Sequence, residues 1–378
     1  MEAVRRRYLE EVKRVVLKLG SAVLTGPEGL NLPLMKRLAA EIAWLRRSER
    51  QIVVVSSGAV AAGLRKLGLS DRPAGIPQQQ AVAAAGQSSL MQTYEAAFAD
   101  HGLKVAQILL THDDLANRRR FLNARNTLFT LLQWGVVPII NENDTVATEE
   151  LKFGDNDHLA ALICNLVEAD FLILLTDTEG LYARDPREDP GAPLIPMIEV
   201  TDPLLKTAAG RRPGRWGRGG MVSKIQAAKK AGAAGIPSLI ANGLRPGILE
   251  SIFAFEEVGT LFVPQEHRLS SRQYWLAYNV SPEGALLVDS GAREALVRGK
   301  SLLPAGIVEV FGGFGKGAAV QLMDPEGQTF GVGLTNYSSR DINRIKGRRT
   351  QEIAQALGHE DIAEVIHRDN LVIFPEGG

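Results

Sequence analysis

Two lysines in this chain stand where a lysine is unfavourable. Lys18 lies in "RVVLKL" (Arg14–Leu19), a run apolar enough for a strand buried on both faces. An ammonium without a partner there loses hydration worth several kcal/mol, so Lys18 either snorkels along the sheet edge or meets an anion. Gly20 and Ser21 follow it and let a ligand approach the backbone closely, which favours the anion. Lys224 lies in "GRGGMVSKIQAAKKAG", where Gly217, Gly219 and Gly220 lead into a helix whose first turn holds the lysine. The positive end of a helix dipole disfavours a cation by ~0.3–1 kcal/mol. A phosphate at that helix start reverses the sign, because free amides and the ammonium then point at it together. A plain glycine hinge before a helix is the competing reading, and the Gly-Lys pair of a Walker A loop is missing. "SSGAVAAG" (Ser56–Gly63) offers Ser57 and the amides of Gly58 and Ala59 as another anion site, or simply a helix cap.

The third feature is "IINENDTVATEELKFGDNDHLAAL" (Ile139–Leu162), whose polar part packs six carboxylates and three asparagines between two apolar elements. Leu159, Leu162, Ile163, Leu166 and Val167 make one helical stripe, and Asp155 is placed to cap that helix. A cap needs one such residue; Asn156 and Asp157 exceed that need, and Asn141, Asn143 and Asp144 approach from the preceding strand end. The group offers carboxylates for an ammonium, amides for a carboxylate, and a carboxylate able to orient lysines. An α-amino acid carries both kinds of charge. Lysines for phosphate beside such a pocket point to phosphoryl transfer to an amino acid.

The elements that must position these residues alternate. Apolar runs at Arg14–Leu19, Gln51–Val55, Lys104–Leu110, Val136–Ile140, Phe171–Leu175 and Pro237–Ala241 are separated mostly by helix-length segments. That alternation predicts a largely parallel sheet with helices on both faces. In such a sheet ligands bind beyond the carboxyl ends of the strands. Lys18–Ser21, Ser56–Gly58, Asn141–Asp144 and Thr176–Asp177 all follow strand runs, so four strands deliver polar or small residues to one edge. We assign residues 12–264 to this domain and 265–281 to a linker, and read 282–362 as a small, mostly β module of short strands with Gly and Pro turns.

Bulk composition narrows the function. Lys+Arg and Asp+Glu both total 43, which argues against bulk attraction to nucleic acid or anionic membrane. Cys164 is the single cysteine, so no intramolecular disulfide forms; it sits among leucines as a small apolar residue. No run approaches ~18 apolar residues, and the charged start "MEAVRRRYLEEVKR" reads as a short helical or frayed extension without a secretory h-region. The expectation is a cytoplasmic protein with no membrane association. "SSRDINRIKGRRT" carries Arg340, Arg344, Lys346, Arg348 and Arg349, a basic run that reads first as a solvated helix face and second as an RNA contact.

With these pieces in place, the chain resembles the glutamate 5-kinases (γ-glutamyl kinases), a branch of the amino-acid kinase family, along nearly its whole length. The matching stretches are "VVLKLGSAVLT", "VVVSSGAVAAG", "FLNARNTL", "PIINENDTVAT", "GDND", "LLTDTEGLYARDPR", "GGMVSK" and "VGTLF", and the C-terminal module resembles a PUA domain. The resemblance implies a three-layer α/β/α sandwich with a mostly parallel sheet, followed by the PUA-like domain. It implies that Lys18 and Lys224 neutralise the transferring phosphoryl group while Asp157 holds both lysines. It implies glutamate contacts from Ser57, Asp144, Asp155 and Asn156, with Asn141 nearby. It implies nucleotide contacts from Lys18, Thr176, Asp177, Arg218, Gly219, Gly220, Met221, Val222, Ser223 and Lys224; the family usually has Thr where this chain has Arg218. ATP and Mg2+ are the implied co-substrate and ion, with no residue assigned as a metal ligand. Proline as an inhibitor, a homo-oligomer and a link to glutamyl phosphate reductase are further implications.

Overall fold

The protein, seen as a computed structural model, is described over residues 1–26, 29–147, 156–206, 220–265, 269–357 and 362–374. It divides into two units, Met1–Arg268 and Leu269–Gly378.

In the first unit the apolar runs form a sheet of eight strands. In chain order these are β1 (Arg14–Leu19), β2 (Gln51–Ser56), β3 (Val105–Leu110), β4 (Val137–Glu142), β5 (Phe171–Thr176), β6 (Met197–Glu199), β7 (Ser238–Asn242) and β8 (Thr260–Val263). Their spatial order is β3-β4-β2-β1-β5-β7-β8-β6. Pairing is parallel from β3 through β7; β8 runs antiparallel to β7, and β6 runs parallel to β8. The chain builds outward from β1 to one side through β2, β4 and β3, and then to the other side from β5. The reversal between β1 and β5 is the topological switch point, where open sheets of this type bind ligands.

Helices cover both faces. They include α1 (Glu2–Leu9), α2 (Leu32–Arg47), α3 (Ala59–Lys66), α4 (Ile76–Ala99), α5 (Arg118–Gln133), α6 (Asn156–Leu166) and α7 (Met221–Ala233). Val15, Leu17 and Leu19 of β1 join one core with Leu38, Ile42 and Leu45 of α2 and Leu90 and Phe98 of α4. The pleat turns Val16 and Lys18 to the opposite face. There α6 packs on β1 and β5, and α7 packs on α6. Two glycines let α3 and α4 meet unusually closely. A Cβ at Gly63 would stand 1.8 Å from the Val82 carbonyl oxygen, and one at Gly86 would stand 1.8 Å from that of Ala59. Backbone cannot yield by that much, so only glycine fits at either position.

Three features differ from the sequence reading. The charged N-terminal stretch is helical, the first of its two readings, but it is docked and not a free extension: Arg5 is fully buried and donates to the carbonyls of Val258, Pro196 and Gly259. Main-chain acceptors beside β8 and β6 take hydrogen bonds from both terminal nitrogens of the guanidinium, which a composition argument cannot foresee. The edge strand β6, three residues long, has no apolar run to announce it. The stretch assigned to a linker contains α8 (Ser271–Tyr278), which belongs to the second unit. Ser270 and Gln273 form a reciprocal capping box, and Tyr274, Trp275 and Leu276 are buried.

The second unit holds a five-stranded sheet: β9 (Gly284–Val288), β10 (Ile307–Phe311), β11 (Ala319–Met323), β12 (Thr329–Leu334) and β13 (Leu371–Ile373), in the order β10-β9-β11-β12-β13. The β13 strand lies beyond residue 362, so the unit is longer at both ends than the module read from sequence. Part of the basic run lies on α9 (Ser339–Ile345), where the Arg344 guanidinium donates to the Ala356 carbonyl and so ties the fold locally. Among the described residues no helix is long and apolar enough to cross a membrane.

Candidate active site

Three elements bring charge to the end of β1. Lys18, the penultimate residue of β1, faces α6, whose first turn supplies Asp157; α7 supplies Lys224 from its own first turn. Lys18 Nζ lies 2.5 Å from Asp157 Oδ1, and Lys224 Nζ lies 3.1 Å from Asp157 Oδ2. The side chains are 2 %, 0 % and 8 % exposed for Lys18, Asp157 and Lys224, so the attraction acts in a poorly screened environment. Two ammonium groups share one carboxylate, and the three groups together carry positive charge, which the oxygens of an anion offset. Ser223 Oγ lies 2.7 Å from Asp157 Oδ2 and 2.8 Å from the Gly220 carbonyl. It links the start of α7 to the carboxylate that holds the lysines.

Beside this centre runs a chain of amides. Asn156 Nδ2 donates to the Ser56 carbonyl, to Asn141 Oδ1 at 2.8 Å and, more weakly, to Ser57 Oγ at 3.3 Å. Asn141 Nδ2 donates onward to Gln87 Oε1 at 2.8 Å. These groups stand at the ends of β2 and β4 and on α4. The polar network holds the strand ends and α6 in fixed register, since each buried amide left unpaired would cost ~1–3 kcal/mol. Ser56 Oγ is anchored from behind by Tyr94 Oη at 2.8 Å, and burial pushes the Tyr94 phenol above its ordinary range, so it stays protonated. Asp144 sits partly buried in the turn after β4.

The remaining predicted nucleotide residues lie across the switch point. Thr176 ends β5, the other neighbour of β1, and donates to the exposed Asp177 at 3.1 Å. Gly220 caps α7 in an extended conformation, and in its first turn Met221 is half-buried and Val222 exposed. Asp155, Arg218 and Gly219 lie outside the described residues. Among the described residues no group of three or more His, Cys, Asp and Glu side chains is arranged to hold a metal ion. The structure thus brings Lys18, Asp157, Ser223 and Lys224 into one contact set, and Ser57, Asn141 and Asn156 into an adjoining one. Gln87 was missed; its one local signal is a lone amide after the small-residue run Ala83–Gly86.

A second group on α6 and α7 was also missed. His158, next to Asp157, meets the Lys230 ammonium through Nδ1. Burial, then the charge of Lys230 and His112, lowers the His158 pKa to about 3. Burial lowers Lys230 to about 8. His158 is therefore neutral at pH 7 and able to accept a hydrogen bond. Between about 3 and the ordinary 6.5 the unfolded chain binds the proton that the folded chain refuses. Stability is therefore lost as pH falls through that window, by up to ~1.4 kcal/mol per pH unit from this group. His158→Asn is expected to flatten the dependence of Tm on pH between about 6.5 and 4. An unchanged slope would place the acid sensitivity elsewhere.

Comparisons with known proteins bear on the fold and the family. The amino acid kinase family pattern matches residues 13–242, and the PUA domain pattern matches residues 284–357. Over 373 residues the chain is 54% identical to the glutamate 5-kinase of Geobacter sulfurreducens, covering 98% of this chain and 100% of that one. The glutamate 5-kinase of Geobacter metallireducens is likewise 54% identical over 373 residues, with 98% and 100% covered. That of Meiothermus ruber is 52% identical over 365 residues, with 96% of each chain covered. With the fold, the paired lysines and this full-length similarity together, the chain belongs to the amino acid kinase family, among its glutamate 5-kinases, with a PUA domain after the kinase fold.

Proposed function

We propose that the protein transfers the γ-phosphoryl group of ATP to the side-chain carboxylate of L-glutamate, giving L-glutamyl 5-phosphate and ADP, the first step of proline biosynthesis. The observation that carries the reading is the convergence of Lys18 and Lys224 on Asp157 at the end of β1. One glutamate carboxylate oxygen forms the new bond to phosphorus as the bond to the β–γ bridging oxygen breaks, and ADP leaves with the electron pair. The carboxylate has a reference pKa of about 4.3 and is already ionised at neutral pH, so no general base is required. The barrier is electrostatic, because an anion must approach a polyphosphate. Lys18 and Lys224 offset that repulsion and stabilise the in-line transfer, with the amides of the first turn of α7 facing the phosphates. Asp157 holds both ammonium groups in position. Magnesium accompanying ATP supplies further positive charge at the phosphate oxygens. Ser57, Asp144, Asp155 and Asn156, with Asn141, bind the acceptor. Thr176, Asp177 and the Arg218–Lys224 stretch bind the nucleotide.

The test is trapping of the acyl phosphate. With ATP, magnesium and hydroxylamine, hydroxamate is expected from glutamate and not from aspartate or N-acetylglutamate. Hydroxamate from one of the others, with none from glutamate, would overturn the assignment. We also propose feedback inhibition by proline, motivated by the acid- and amide-rich stretch between β4 and α6. Millimolar proline should lower the rate at subsaturating glutamate; a rate indifferent to proline removes this part.

A further inference from the structure

The amide chain has a direction, and the direction can be fixed without relying on how each amide is drawn. A main-chain carbonyl only accepts, so the Asn156 atom on the Ser56 carbonyl is Nδ2. A main-chain N–H only donates, so the Asn141 atom that receives the Glu142 amide at 3.0 Å is Oδ1. That same Oδ1 receives Asn156 Nδ2, and Asn141 is left to donate through Nδ2. The Gln87 atom that receives it must be Oε1. The far end of Gln87 is therefore an NH2 group. Its Nε2 is buried and has no hydrogen-bond partner among the described residues. Buried donors of this kind are uncommon in finished structures, and an acceptor brought by a ligand satisfies them.

Gln87 also has a defined place. Gly86 allows α4 to press against α3. Gln80, two turns earlier on the same helical stripe, donates to the Ala147 carbonyl at 3.1 Å. This face of α4 therefore borders the end of β4, which carries Asn141, and the turn after it, which carries Asp144. Lys18 is on β1, Ser56 on β2 and Asn141 on β4, which are successive neighbours in the sheet. With roughly 4.8 Å between strands, Asn141 lies about 10 Å along the sheet edge from the strand of Lys18. An acceptor whose reacting carboxylate faces the lysines extends its other end toward β4. A donor there suits a carboxylate and repels an ammonium.

We infer that Gln87 determines specificity for the amino-acid end of the acceptor: its Nε2 donates to the non-reacting α-carboxylate of glutamate while its Oε1 orients Asn141. The inference rests on the glutamate reading proposed above. Gln87→Glu separates the two roles, because a carboxylate oxygen still accepts from Asn141 while the donor is replaced by a like charge. The glutamate KM should rise about 30- to 100-fold, with kcat within about threefold and the ATP KM unchanged. A Tm close to that of the parent protein would show that the anchor to Asn141 persists. A parental glutamate KM in Gln87→Glu would overturn the inference and leave Gln87 as an anchor for Asn141 only. Should that variant fail to fold, Gln87→Met is read instead: a glutamate KM raised about 10-fold supports the role, and a KM within about twofold overturns it. The parent protein serves as control, since a failure to form hydroxamate with glutamate at all would defeat the acceptor assignment, not this residue.

Discussion

Lys224→Ala should lower kcat by about 10²–10³-fold while the glutamate KM moves by less than about threefold. The Lys224 side chain, in the first turn of α7, is buried, and its ammonium stands 3.1 Å from Asp157. The helix dipole opposes a cation at that place, and removing the side chain leaves Asp157 paired with Lys18, so the fold should survive. What the variant loses is a positive group fixed where phosphate charge spreads during transfer. Such an interaction is worth most in the transition state, and its removal therefore falls on turnover and not on binding of the acceptor. Steady-state kinetics at varied glutamate and saturating ATP read both constants. A parental kcat would remove Lys224 from the chemistry.

Asp157→Asn should act on stability and activity together. The substitution keeps the shape and the acceptor for Ser223 but takes the shared negative charge from two buried ammonium groups. Breaking a buried ion pair from one side typically costs ~3–5 kcal/mol, which is roughly a 10 °C fall in Tm for a unit of this size. Turnover should fall at least about 100-fold, because neither lysine is then held. A second signature follows from charge balance. ATP brings oxygens that offset the two cations, so nucleotide should raise the Tm of the variant by more than it raises that of the parent protein. Equal nucleotide shifts, or a parental Tm without nucleotide, would mean that Asp157 does not carry the charge balance of the site.

The sheet was legible because strands buried on both faces must be continuously apolar, as "FLILL" and "VVPII" are. The lysines were legible as anomalies: Lys18 in a buried strand and Lys224 at the wrong end of a helix dipole. Neither anomaly states a distance. That Lys18 and Lys224 meet on opposite oxygens of Asp157 follows from the pleat of β1 and the packing of α6 on α7, which are properties of the folded chain. The docking of Arg5 was not legible because its partners are main-chain carbonyls, which leave no trace in side-chain composition. Gln87 was out of reach for a related reason. Its role depends on an amide direction imposed by the Ser56 carbonyl and the Glu142 N–H, groups that every chain possesses and only a fold can aim. The helix Ser271–Tyr278 was hidden by a mixed polar sequence, although Ser270 and Gln273 carry the spacing of a capping box.

The most direct measurement is an experimental structure of the protein with magnesium, glutamate and a non-hydrolysable ATP analogue. The account predicts the γ-phosphate oxygens within about 3 Å of both the Lys18 and Lys224 ammonium nitrogens, with the glutamate side-chain carboxylate in line behind the phosphorus. A γ-phosphate bound beyond hydrogen-bonding reach of both lysines, with glutamate ordered elsewhere, would contradict it.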